Sequence, residues 1–507
     1  MQNNVIEWLE KNAKTFPDKT AFTDESSSIS FLELKQKALA SATLICKKAL
    51  PKTPVAFYLE KCTDAVCTMM GTAYAGCFYS FIDVRQPQTR AKNVLETLKA
   101  SIIITNQENE EKLCSFYSGK YFLISDLFST EINNELIEQR KNNYLDVNPL
   151  YVNFTSGSTG NPKGVTISHR SVIDFIPVFC KELSLTSEDS FANQAPFDFD
   201  VSVKDIYSGL YLGATVHLIP REFFSSPIKL MDFLDEKKPS TLIWAVSALC
   251  FVSIMKGLDY KVPDSIKNIM FSGEIMPVKQ LHVWQKFIPQ SRYINLYGPT
   301  EITCNCTYYI LNKDFEETET IPIGKAFKNE KFFLLDEEDK LITEKNIPGE
   351  ICVSGSCVGL GYYNNIERTQ EAFVQNPLNP FYNEIIYRTG DLGKYADDEN
   401  LIYIGRKDFQ IKHMGHRIEL GEIETAAMSI KDVSRACCLF DSDKGRLILF
   451  YTGNSEKAEL LKQLRSMLPP FMIPSTVKNI DEMPLNKNGK IDRKQLFSLY
   501  KDSSGGK

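Results

Sequence analysis

Short apolar runs alternate with helical patterns through roughly the first four hundred residues, and this alternation restricts the fold more than any other feature. Residues 55–59, 101–105, 215–219 and 241–244 read as strands, and 63–74 and 227–237 as helices. Strands separated by helices are joined by crossovers, so they pair in parallel and build doubly wound α/β sheets. From 321 to 403 the pattern shifts to shorter strands and many turns, as at 331–335 and 350–353, which predicts an antiparallel, barrel-like section. Beyond about residue 408 a small α+β unit is expected, with strands near 434–440 and 446–451 and a helix over 456–467. Pro469, Pro470 and Pro474 close that helix and set rigid turns. A chain of 507 residues exceeds what one core organises. The expected division is a large N-terminal domain over 1–407, a small C-terminal domain over 408–500, and a loose tail over 501–507.

Composition removes several function classes. A net charge of −6 without a basic tract argues against a nucleic-acid-coating protein. No run of about twenty apolar residues is present to span a bilayer, and the N-terminus lacks a basic segment followed by an apolar one. The thirteen cysteines are scattered. Cys304 with Cys306, and Cys437 with Cys438, lack a second ligand pair, so they read as buried reduced thiols rather than a metal site. Reduced thiols suit a cytoplasmic protein.

The strongest local signal runs from Thr155 to Gly164: Thr-Ser-Gly-Ser-Thr-Gly-Asn-Pro-Lys-Gly, after an apparent strand at 151–154. Glycines and small hydroxyl residues let backbone N–H groups converge on phosphate oxygens, and Lys163 adds a charge. It is not a Walker A loop, because Pro162 and Gly164 stand where Gly and Ser or Thr are needed. A generic Gly/Ser stretch would be a surface loop. This string, however, resembles the phosphate-binding loop of adenylate-forming enzymes: acyl-CoA synthetases, luciferases and the adenylation domains of nonribosomal peptide synthetases. Further motifs similar to that superfamily's follow in order: Asn295-Leu296-Tyr297-Gly298-Pro299-Thr300-Glu301, Gly349-Glu350-Ile351, Tyr387-Arg388-Thr389-Gly390-Asp391, Gly405-Arg406-Lys407-Asp408-Phe409-Gln410-Ile411-Lys412, and Asn488-Gly489-Lys490-Ile491-Asp492. Together they cover nearly the whole chain.

The resemblance implies roles that the residue types can fill. Thr155, Ser156, Gly157, Ser158, Thr159, Gly160 and Lys163 would cradle the phosphates of ATP, with Gly298 and Thr300 in the nucleotide set. Tyr297 would stack on adenine and Asn295 read its amino group. Asp391 would accept the ribose hydroxyls, and Arg406 would add a ribose or phosphate contact. Glu301 matches the carboxylate that binds Mg²⁺ together with phosphate oxygens. Lys490 matches the catalytic lysine that stabilises charge on the α-phosphoryl and carboxylate oxygens, in a basic segment whose nearest competitor is Lys487. Asp408 falls at the family's hinge, where a few residues absorb a large backbone rotation. His413 and His416 receive no role.

The segment Phe197-Asp198-Phe199-Asp200-Val201 matches the superfamily's substrate segment, and Asp200 falls where amino-acid-activating members pair a carboxylate with the substrate ammonium. By the same matching the pocket would include Val201, Lys204, Ala245, Met270, Ser272, Gly273, Leu296, Cys304 and Asn305. Lys204 would either pair with an acidic substrate side chain or lead its head group out to water. The chain most resembles stand-alone D-alanine–carrier-protein ligases, through Asn193-Gln194-Ala195-Pro196-Phe197 and Met270-Phe271-Ser272-Gly273-Glu274. It departs from them at Ser272, where they carry cysteine, and at Lys204, where they are apolar, so another small or acidic amino acid stands beside D-alanine. The implied reaction is amino-acid adenylation with pyrophosphate release, then transfer to the phosphopantetheine thiol of a separate carrier protein, or to coenzyme A. An acyl- or aryl-CoA synthetase would share the ATP chemistry without needing Asp200. A non-catalytic nucleotide-binding module would need neither Lys490 nor Glu301.

Overall fold

The computed structural model describes residues 2–156, 162–407, 410–485 and 491–504. It divides into two compact units. One comprises Met1–Val84, Thr97–Asn153 and Gly164–Lys407, the other Arg85–Glu96, Phe154–Lys163 and Asp408–Lys507.

The first unit is built on parallel sheets, as the alternation of strands and helices predicts. Its largest sheet has nine strands among the described residues. Six run parallel, in the order Arg292–Tyr297, Asn268–Ser272, Thr241–Ala245, Ser190–Asn193, Thr215–Leu218 and Thr20–Thr23, with antiparallel strands at both edges. Ala245 lies opposite Ser272, and Phe271 opposite Asn295, so these strands end side by side. A second parallel sheet runs through Pro54–Tyr58, Phe78–Ile82, Ile102–Thr105 and Tyr121–Leu123. Every residue of the first three strands is buried, the mark of strands covered on both faces. Helix Val201–Leu212 is buried at every position from Val201 to Leu210, so it is a core helix rather than an amphipathic cover. It stops at Gly213, whose φ of 71° suits a left-handed cap.

The section with the shorter strands is antiparallel, as its many turns predict. Glu330–Leu335, Gly349–Gly355, Ile385–Tyr395 and Leu401–Arg406 pair in sequence, and this register sets Asp391 directly across from Arg406.

In the second unit, Gln410–His413 and His416–Glu419 form a hairpin. Its two turn residues, Met414 and Gly415, have φ of 52° and 78°, the geometry that matches strand twist in a two-residue loop. Helix Leu420–Met428 packs on a three-stranded sheet of Val433–Asp441, Arg446–Gly453 and Thr476–Asn479. The segment expected to be a loose tail begins inside a helix, Arg493–Ser504. Leu496 and Tyr500 are buried on that helix, which holds it down; residues 505–507 lie outside the described ones. All thirteen cysteines are free thiols, and no group of three or more His, Cys, Asp or Glu could hold a metal ion among the described residues. Among the same residues no helix is long and apolar enough to cross a membrane.

Candidate active site

Three neighbouring parallel strands of the nine-stranded sheet end side by side, and the ligand crevice of an open α/β sheet lies outside such carboxyl ends. Asn295, Leu296 and Tyr297 close strand Arg292–Tyr297, and Ser272 and Ala245 close its neighbours. Gly273 follows with φ of 96°, and a Cβ built there meets no atom within 4 Å, so open space lies beside this strand end.

Asp391 is the best-anchored carboxylate of the nucleotide set. It is buried, the Tyr297 hydroxyl donates to Oδ2 at 2.5 Å, and Arg406 Nη1 donates to Oδ1 at 2.5 Å from the facing strand. The Asn295 amide donates through Nδ2 to the Pro322 carbonyl at 2.9 Å. That leaves its carbonyl oxygen as the acceptor, the polarity that an exocyclic amino group needs. The Tyr297 ring lies 6.2 Å from that of Tyr403, tilted by 41°.

After Gly298 and Pro299 the chain makes a short 3₁₀ turn, Thr300–Ile302, and then bends through two consecutive left-handed residues, Thr303 (φ 59°) and Cys304 (φ 78°). Each costs roughly 1–2 kcal/mol relative to an ordinary conformation, so the surroundings must hold the turn. Thr303 Oγ1 donates to the Cys357 carbonyl at 2.8 Å, and the Cys304 thiol donates to the Asp200 carbonyl at 3.1 Å. Gly298 is required here because a Cβ would stand 2.5 Å from Asn305 Cα and 2.7 Å from the Cys304 oxygen. This turn carries Glu301, which is fully buried and accepts a 2.7 Å hydrogen bond from the Tyr362 hydroxyl at Oε1. Among the described residues Glu301 belongs to no cluster of three or more metal-ligating side chains. A buried carboxylate in that setting fits Mg²⁺, which takes one or two carboxylates and completes its shell with phosphate oxygens and water.

On the pocket side, Asp200 precedes helix Val201–Leu212 and is 6 % exposed. Lys204, one turn on, is 0 % exposed. Its ammonium donates to Asn305 Oδ1, and burial lowers its pKa. Of the two orientations open to Lys204, the one that leads its head group to water is excluded. Val201, Ala245, Met270, Ser272, Leu296, Cys304 and Asn305 are also buried in the first unit.

In the second unit, the Thr155 hydroxyl is buried without a hydrogen-bond partner among the described residues. Ser156 Oγ donates to the Arg417 carbonyl at 2.6 Å and accepts from Glu419 N at 3.2 Å. Lys163 Nζ lies 3.7 Å from Glu419. Gly157, Ser158, Thr159, Gly160, Asp408 and Lys490 lie outside the described residues. His416 stacks on Phe471 at 3.7 Å and His413 packs edge-on to Phe440, which are packing positions. Tyr362 and Asn305's hold on Lys204 have no sequence signal of their own; Tyr362 reaches Glu301 only because Gly361–Tyr362 pairs with Val165 and Thr166 across the sheet.

A profile of the AMP-binding enzyme family matches residues 9–363, and one of the AMP-binding enzyme C-terminal domain matches 422–490. The chain belongs to the AMP-binding enzyme family. Adenylate-forming enzymes of this family use ATP. Curated relatives include bacitracin synthase 1 of Bacillus licheniformis, 30 % identical over 97 % of this chain, and tyrocidine synthase 2 of Brevibacillus parabrevis, also 30 % identical over 97 %. The chain spans only 9 % and 13 % of those two proteins. Among solved structures, the AMP-binding enzyme is similar to the Vibrio cholerae adenylation domain AlmE in complex with glycyl-adenosine-5'-phosphate. That match has a TM-score of 0.85 and 21 % identity, covering 99 % of this chain and 98 % of that one. It is also similar to NpsA-ThdA, an artificially fused adenylation-PCP di-domain from Klebsiella oxytoca, with a TM-score of 0.81 and 21 % identity over 94 % and 93 % of the two chains.

Proposed function

We propose that this enzyme activates an amino acid as its aminoacyl-adenylate and passes the aminoacyl group to the phosphopantetheine thiol of a carrier protein. The observation that carries the reading is Asp200, a buried carboxylate tied through Cys304 to the same turn that bears Glu301. A substrate ammonium is the charge such a site calls for. In the first half-reaction an oxygen of the substrate carboxylate attacks the α-phosphorus of ATP. The new O–P bond forms as the bond to pyrophosphate breaks. Asn295 and Tyr297 would orient the adenine, Asp391 and Arg406 the ribose, and Lys490 and the loop from Thr155 to Lys163 would meet the phosphates and the developing charge. With phosphate oxygens, Glu301 would hold Mg²⁺, which supplies neutralisation of phosphate charge when bound. In the second half-reaction the carrier thiolate attacks the acyl carbonyl and AMP leaves. Rotation about Asp408 between the two steps belongs to this proposal. D-Alanine and other small or acidic amino acids form the candidate set. The adenylation-carrier composition of NpsA-ThdA and the glycyl adenylate held by AlmE support the reading by analogy.

The test is ATP–pyrophosphate exchange over a panel of amino acids, fatty acids and aromatic acids. Exchange with an amino acid, lost in Asp200→Asn and Lys490→Ala, is the expected result. Exchange confined to acids without an amino group would remove the Asp200 assignment and leave an acyl- or aryl-CoA synthetase.

A further inference from the structure

Lys204 is a buried cation to which no described residue brings a counter-ion into contact. The head group is fully inside, its hydrogen bond goes to the neutral Asn305 Oδ1, and it forms no ion pair among the described residues. An ammonium has three donors, so two remain unused among those residues. The two carboxylates nearest in charge influence are Asp200 and Asp205. Neither is in ion-pair contact with it, and Asp205 instead accepts a 2.9 Å hydrogen bond from Asn193 at Oδ2 and is pushed up to about 7 by burial. Holding a cation out of water costs several kcal/mol unless an anion accompanies it.

Charge counting within the pocket narrows the ligand. Asp200 lies just before helix Val201–Leu212 and Lys204 four residues on within it, with Asn305 holding the lysine ammonium. In the proposed reaction Asp200 takes the substrate ammonium. A substrate with a neutral side chain then leaves Lys204 buried and unmatched. A substrate that carries a second carboxylate matches both charges at once.

We infer that the substrate is an amino acid whose side chain ends in a carboxylate, and that this carboxylate pairs with the ammonium of Lys204. The inference rests on the amino-acid reading above and deepens it. D-Alanine is removed from the candidate set, because its methyl group gives Lys204 no anion. Binding of the side-chain carboxylate would also raise the lysine's depressed pKa, since the new neighbour stabilises the charged form.

The experiment is ATP–pyrophosphate exchange by the whole chain. The panel holds both enantiomers of aspartate, glutamate and 2-aminoadipate against asparagine, glutamine, alanine and norleucine, with glutarate as the acid that lacks an amino group. An acidic member is expected to exceed its amide in kcat/KM by about a hundred-fold or more, because a buried charge left unpaired is rejected strongly. Lys204→Met should abolish that preference and raise exchange with norleucine or glutamine relative to the acid. The wild-type panel decides the matter even if the variant fails to fold. Equal use of an acid and its amide, or preference for alanine, would overturn the inference while leaving amino-acid activation standing. Exchange with glutarate alone, or with nothing, would overturn both.

Discussion

Tyr362 offers the cleanest perturbation of the metal side of the site. Its hydroxyl donates to Glu301 Oε1 at 2.7 Å, deep in the first unit. Its ring packs edge-on against Phe373, with centroids 5.5 Å apart and planes at 81°. Tyr362→Phe keeps the ring and removes only the hydroxyl, so the packing survives. A hydrogen bond to a charged group contributes about 1.5–3 kcal/mol, and here it fixes the direction in which the carboxylate points. At about 1.4 kcal/mol per factor of ten, this converts to roughly a ten- to hundred-fold change. The change should appear in the Mg²⁺ concentration that half-saturates ATP–pyrophosphate exchange, while the KM for the amino acid stays near its wild-type value. The assay is a Mg²⁺ titration at saturating amino acid, with circular dichroism to verify the fold. An unchanged Mg²⁺ midpoint, or an equal loss at every Mg²⁺ concentration, would refute the argument that Glu301 holds the ion and that Tyr362 aims it.

Three further outcomes are expected. Gly298→Ala forces a Cβ to within 2.5 Å of Asn305 Cα, so it should cost about 1–3 kcal/mol of stability in denaturant titration and abolish exchange by shifting the 301–305 turn. Asp391→Asn keeps the shape but removes the charge that faces Arg406 and that would meet the ribose in the proposed reaction, and calorimetry should record about ten-fold weaker ATP binding or worse; unchanged affinity would detach Asp391 from the ribose. His169 is buried, with its pKa pushed down from 6.5 to about 3 by burial. Between those values the unfolded chain binds a proton that the native chain refuses, so this contribution to stability is complete above 6.5 and is lost as pH falls, by up to about 1.4 kcal/mol per pH unit. His169→Gln should therefore flatten the decline of the urea midpoint between about pH 7 and pH 5, and parallel declines would refute the assignment.

Sequence reading reaches the elements whose causes are local. Helices Thr63–Tyr74 and Pro227–Lys237 coincide with their expected spans, because an apolar helical run defines the first and a proline in the first turn opens the second. The final helix escapes such a reading because Arg493–Ser504 is polar in composition and is held by burial of Leu496 and Tyr500, a tertiary cause. At the site, motif strings lead to Asp391 and Tyr297, but not to the bond between them, which joins strands of two different sheets that are far apart in the chain. Tyr362 is invisible for the same reason: its partner strand lies about two hundred residues earlier, and long-range pairing leaves no local pattern. The burial of Lys204 does have a signal. Its neighbours on the helix are mostly apolar or small, and a helix without a polar face is a core helix.

The left-handed turn at Thr303 and Cys304 also has a consequence for anyone who would reprogramme this enzyme. Glu301, which would serve the metal, and Cys304 and Asn305, which would border the side-chain pocket, are carried on one strained five-residue peptide. A new selectivity introduced at 304 or 305 therefore drags on Glu301, and if that carboxylate serves the reaction as proposed, variants there should trade turnover for altered choice. The helix beginning at Val201 is tied to that peptide by the Cys304–Asp200 and Lys204–Asn305 hydrogen bonds, whereas the strand ends at Ala245 and Ser272 are held by their pairing in the sheet. Those strand ends are where a library should be built, and where natural drift in selectivity can proceed one residue at a time.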